Sequence, residues 1–152
     1  MGTTFERWAM RAEAVSVPLA RRRVTTLMRA EGWDDQRLDE IALLTTELVT
    51  NAVEHARTPF TVTVDLTGQR LRVEIRDGCA TRPIAVHAPS ETAIGGRGLT
   101  IVAALADRWG VQQDSAGKSV WFEAQRADVS ELPTSTSGLG TRPVLITSRN
   151  ED

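Results

Sequence analysis

A two-layer α+β sandwich is the fold this sequence predicts, and three observations predict it. Two pairs of strand-like segments, each joined by a short turn-forming link, read as hairpins. Three further segments carry helical spacing, and no internal repeat imposes a solenoid or propeller. The 152 residues suffice for one domain with its own core.

The elements follow in order. Residues 5–14, FERWAMRAEA, alternate loosely and suit an edge strand. Pro18 fits the first turn of a helix that runs to Glu31, where Gly32 is the C-terminal signal. Asp34 or Asp35 then caps a long second helix through Ala56, closed off before Pro59. TVTVDL (61–66) and LRVEIRD (71–77) alternate with period two and join through Gly68 as a hairpin. Residues 78–96 contain two prolines and show no period, which predicts a long loop of the kind that serves function or stays disordered. After Gly98, LTIVAALADRW returns to helical spacing, and WGVQQ and KSVWFEA form a second hairpin turned through residues 114–117. From Ala127 the composition shifts to DVSELPTSTSGLGTRP, which cannot support a core. The sequence therefore predicts one domain over 1–126 and a flexible C-terminal tail over 127–152, within which VLIT (144–147) is the segment able to dock as a short strand.

Composition excludes several functions. Hydrophobic residues at 41% and charged residues at 25% are ordinary for a soluble globular domain. No apolar run approaches the ~18 residues of a membrane span, and MGTTFERWAM lacks a signal peptide's apolar stretch, so a cytoplasmic protein with no membrane role is expected. A net charge of −2 predicts no direct contact with nucleic acid. The single cysteine, Cys79, rules out an internal disulfide and a cysteine-rich metal site. Lys118 is the one lysine among 18 basic residues, a bias that GC-rich codon usage explains.

Familiar motifs fail on inspection. GKS at 117–119 resembles the end of a P-loop, but Gln112 stands where the leading glycine belongs and a strand follows instead of a helix. Gly95, Gly96 and Gly98 do not follow a strand with dinucleotide-binding spacing. Glu54-His55 lacks the second histidine of a zinc-protease helix.

The second helix is more informative. At about 100° per residue, Leu38, Ile41, Leu48, Val49, Ala52 and Val53 form an apolar arc, with Glu47, Asn51 and Glu54 opposite it. A solvated face is the simple explanation. Against it, the stripe has no Lys or Arg to pair its carboxylates, and Leu43 and Leu44 flank it. Asp77 closes an alternating strand, where its carboxylate is a fixed acceptor or an ordinary turn aspartate. GGRGLTIV (95–102) puts three glycines at a helix start, where unpaired N–H groups receive phosphate and Arg97 adds a cation.

ELVTNAVEHA, an aspartate closing a strand, GGRGLTIV and then WGV…GKSVWFE resemble, in that order and over residues 5–125, the Bergerat-fold (GHKL) ATPases. More closely, they look like the small single-domain anti-sigma-factor serine kinases. The resemblance implies a mixed, largely antiparallel sheet with helices on one face, and ATP and Mg²⁺ as cofactors. It implies Glu47 as general base, Asn51 as the Mg²⁺ and nucleotide ligand, and Asp77 as acceptor for the adenine amino group. It further implies Gly96, Arg97, Gly98 and Leu99 around the phosphates, Ser119 as a hydroxyl supporting the adenine, and Glu54 and His55 at the pocket border. Cys79 and Thr81 stand where the family's Asp-x-Gly-x-Gly pattern has glycines. The implied function is transfer of the ATP γ-phosphate to a serine of a protein partner, a sigma factor or an anti-sigma antagonist. The alternative is an ATP-dependent interaction switch without transfer, and a homodimer is left open.

Overall fold

The computed structural model describes residues 2–78, 101–126 and 144–148. The chain begins with β1 (Thr3–Met10), α1 (Ser16–Ala30) and α2 (Asp35–Asn51), and α2 runs directly into a π-helical turn, Ala52–Ala56. The hairpin β2 (Phe60–Thr67) and β3 (Arg70–Asp77) follows, then a third helix, α3, described over residues 101–105. The hairpin β4 (Arg108–Asp114) and β5 (Gly117–Gln125) and a last strand, β6 (Val144–Ser148), complete the order. The sheet runs β1-β2-β3-β5-β4-β6. Its first five strands are antiparallel, and β6 lies parallel to β4. This is the α+β sandwich, with a mixed and largely antiparallel sheet, that the sequence predicts.

Local chemistry explains the elements. Pro18 sits in the first turn of α1, where its missing N–H costs nothing. Ala20, Val24 and Met28 recur every four residues and bury one face of that helix completely. Asp34 caps α2 by accepting the Arg37 amide at 2.8 Å. Gly68 turns the first hairpin with φ +60°, a conformation that costs other residues a Cβ clash. Asp114 turns the second: its carboxylate accepts the Ala116 and Gly117 amides, each at 2.9 Å.

The core forms between the helices and the sheet's inner face. Alternate residues Phe60, Val62, Val64 and Leu66 of β2, and Leu71, Val73 and Ile75 of β3, pack in one cluster with Met28, Ile41, Leu44 and Leu48 of the helices. The outer face is polar and laced by ion pairs. Arg72 bridges Glu74 (3.2 Å) and Glu123 (3.3 Å) while its guanidinium lies 4.1 Å over the Trp121 ring.

Two features go beyond the sequence prediction. The sequence extends the second helix to Ala56, whereas α2 gives way after Asn51 to the π turn, closed by Arg57 in the left-handed region at φ 54°. Residues 144–148 lie beyond the predicted boundary at 126, yet they pair with β4, whose outer edge would otherwise present unpaired backbone groups. The remainder of the predicted tail, and the predicted loop beyond Gly78, lie outside the described residues. No helix among the described residues is long and apolar enough to cross a membrane.

Candidate functional site

Strand alternation and register assemble one end of the sheet. Asp77 is the last residue of β3, opposite Phe60 on one side and Lys118 on the other, and Lys118 stands opposite Gln113 of β4. Side chains opposite one another share a face. This row continues the face that carries Ile75 and Val120, the face the helices cover. Asp77 and Lys118 are both buried, and the Lys118 ammonium lies 3.7 Å from the Asp77 carboxylate.

Two contacts fix the backbone here. The Gly78 amide donates to the Thr58 hydroxyl at 3.2 Å, pinning the chain as it leaves β3. Gly117 packs so closely that a Cβ there would lie 2.0 Å from the Asp77 carbonyl oxygen. Any side chain at 117 must therefore displace the residue that presents the carboxylate.

The polar residues of α2 form a second group. The helix packs on β3 and β5, and the π turn packs on β3. Glu47 and Asn51 are half-buried, one helical turn apart, while Glu54 and His55 are exposed on the π turn. Among the described residues no hydrogen bond or ion pair engages Glu47 or Asn51. Burial, and secondarily the like charge of Glu54, holds the Glu47 carboxyl above its ordinary range. Of the flanking leucines, Leu44 is fully buried and Leu43 is exposed. Glu47 and Asn51 thus border the core edge instead of standing free in solvent. π turns inside helices recur at functional sites, and this one begins directly after Asn51.

Ser119 does not join this group. One residue on from Lys118, it faces the outer surface, where Arg76 donates to its hydroxyl at 3.2 Å. Arg76 also grips Asp114 with two contacts of 2.9 Å. That guanidinium, helped by the Ala116 amide, holds the Asp114 carboxyl below the usual carboxylate range. Ser119 belongs to a brace that fixes the β4–β5 turn against β3. The side chain of β5 that lies beside the Asp77 carboxylate is Lys118. Gly96, Arg97, Gly98 and Leu99 lie outside the described residues.

The donor set fits a purine nucleotide with its metal. Asp77 is a buried acceptor at the mouth of the sheet, and Gly117 leaves space only for backbone beside it. The Asn51 carboxamide oxygen is a hard ligand of the type Mg²⁺ takes together with phosphate oxygens and waters. Among the described residues no group of three or more His, Cys, Asp or Glu gathers for a metal held by protein alone. A protein-family model described as a histidine kinase-like ATPase domain matches residues 10–124. No curated protein matches the chain.

Proposed function

Because the chain belongs to the histidine kinase-like ATPase domain family, we propose that it binds ATP at the Asp77 end of the sheet and passes the γ-phosphate to a serine of a partner protein. The partner is of the kind the sequence resemblance implies, a sigma factor or an anti-sigma antagonist. The observation that carries the transfer step is Glu47: a half-buried carboxylate, free of cations among the described residues and more basic than an ordinary glutamate. A general base works best with its pKa moved toward working pH, and burial moves it that way.

Each residue then has a task. Asp77 accepts the hydrogen bond of the adenine amino group and sets the base at the sheet end. The Asn51 oxygen takes a place in the coordination shell of Mg²⁺, which supplies charge neutralisation at the phosphates when bound. Glu47, one turn before Asn51, receives the proton of the attacking serine hydroxyl as that oxygen bonds to the γ-phosphorus and the bond to the bridging oxygen breaks, releasing ADP. Gly96, Arg97, Gly98 and Leu99 provide amides and a guanidinium for the phosphate oxygens.

The test is transfer from γ-labelled ATP, with Mg²⁺, to candidate partner proteins, followed by identification of the modified residue. Label on a serine of one partner is the expected result. Nucleotide binding without transfer to any bound partner would replace this reading with an ATP-dependent interaction switch.

A further inference from the structure

Lys118 has no place in the scheme above, yet its ammonium is brought to the carboxylate on which base recognition depends. The pair is deeply buried, with side chains 9% and 2% exposed. Burying two charges costs several kcal/mol per ion, and two apolar side chains would fill such a place at least as stably. Their neighbours along the same face, Phe60, Ile75 and Val120, are apolar. Nor is the pair a close one. At 3.7 Å the contact exceeds the 2.7–3.2 Å of a good N–H···O bond. An ammonium carries three donors, and among the described residues Asp77 is its single partner. An ammonium held beside a carboxylate, beyond hydrogen-bonding distance of it, suits a ligand that presents an acceptor next to a donor.

Adenine offers such atoms. Its amino group is a donor flanked by two ring-nitrogen acceptors, N1 on the Watson–Crick edge and N7 on the Hoogsteen edge. We propose that Lys118 is a specificity-determining residue that donates to the ring nitrogen beside the amino group held by Asp77. The proposal rests on adenine binding at Asp77 and adds a second, charged contact to it. A carboxylate alone accepts from any amino-bearing base, whereas a carboxylate beside an ammonium demands a donor and an acceptor side by side. With Gly117 closed against the Asp77 backbone, the two side chains are held at fixed spacing by adjacent strands.

Calorimetric titration of the full chain with ADP, 1-deaza-ADP and 7-deaza-ADP tests this, because each analogue lacks one of the two acceptors. Wild type is expected to bind one of the analogues about tenfold or more weakly than ADP, the worth of a hydrogen bond from a charged donor. Lys118→Met, which keeps the aliphatic stem, should bind that analogue and ADP alike. Lys118→Gln, which keeps a neutral donor, should restore part of the difference. Wild type that binds ADP and both analogues equally overturns the role of Lys118, even if neither variant folds. So does a penalty of the same size in wild type and Lys118→Met. Wild type that binds no adenine nucleotide overturns the proposed function itself along with the inference.

Discussion

The two ends of α2 are built from similar residues to opposite purposes. At the N-terminal end the half-buried charges, Arg37 and Glu40, are answered. Asp34 caps the helix, and Arg37 donates to Glu40, to Asp107 and to the Gln125 carbonyl (2.9 Å). Asp107 in turn accepts the Gln125 amide at 2.6 Å. At the C-terminal end Glu47 and Asn51 have no partner among the described residues, Glu54 repels Glu47, and the helix opens into a π turn. One end ties the helix to β5 and the segment before β4. The other holds polar groups ready for something else. A carboxylate left half-buried beside a like charge costs stability, and it persists where chemistry requires it.

The contrast can be broken most visibly at Glu47. Glu47→Gln keeps shape and hydrogen-bonding capacity but cannot take a proton, so serine phosphorylation should fall about 10²–10⁴-fold. ADP affinity in the same preparation should stay within a factor of two or so of wild type. Loss of binding instead of turnover would make Glu47 a ligand contact. At the other end of the helix, Arg37→Met should leave ADP affinity unchanged and lower stability in urea denaturation. It strands two carboxylates and a carbonyl, for which a loss of about 1–3 kcal/mol is expected. An unchanged denaturation midpoint would mean that the network holds nothing in place.

The smallest effect sharpens the comparison most. A carboxyl whose folded pKa is raised binds its proton more tightly in the folded state than in the unfolded one. Stability therefore falls as pH rises from the ordinary glutamate value, 4.5, through the folded value. Glu47→Gln removes that penalty, so its melting temperature should exceed wild type modestly at pH 7 and match it below about pH 4. Because Glu47 is half-exposed, solvent screens the effect and a shift of a few degrees at most is expected. A variant less stable than wild type at pH 7 would show that the carboxylate is satisfied after all. Thus the substitution that costs most activity should gain stability, while the one at Arg37 does the reverse.

What the sequence discloses follows the range of the forces involved. The Asp34 cap, Pro18 in the first turn of α1, and the Gly68 and Asp114 turns act over a few residues and are legible as patterns. So is the Glu47–Asn51 spacing. The faces of β5 are not: Lys118 through Ala124 are all buried, so no alternation of polar and apolar residues separates inside from outside. Only pairing with β3 places Lys118 beside Asp77 and Ser119 beside Arg76. The one signal available was that Lys118 is the chain's single lysine, and codon usage accounts equally well for the arginines around it. The π turn is hidden for another reason. AVEHA continues the preceding helical pattern, and nothing local marks the change after Asn51. Docking of residues 144–148 depends on an open edge of β4 more than thirty residues earlier in the chain.

The central claim is that the end of the sheet at the close of β3 holds adenine through Asp77. Its most direct test is calorimetric titration of the purified full chain with ADP and Mg²⁺, run beside Asp77→Asn. The substitution conserves size but replaces a charged acceptor with an amide. Wild type should bind, and Asp77→Asn should bind about tenfold or more weakly, since a hydrogen bond to a charged acceptor is worth ~1.5–3 kcal/mol. Equal affinity in the two proteins, or no binding in wild type, would contradict the account.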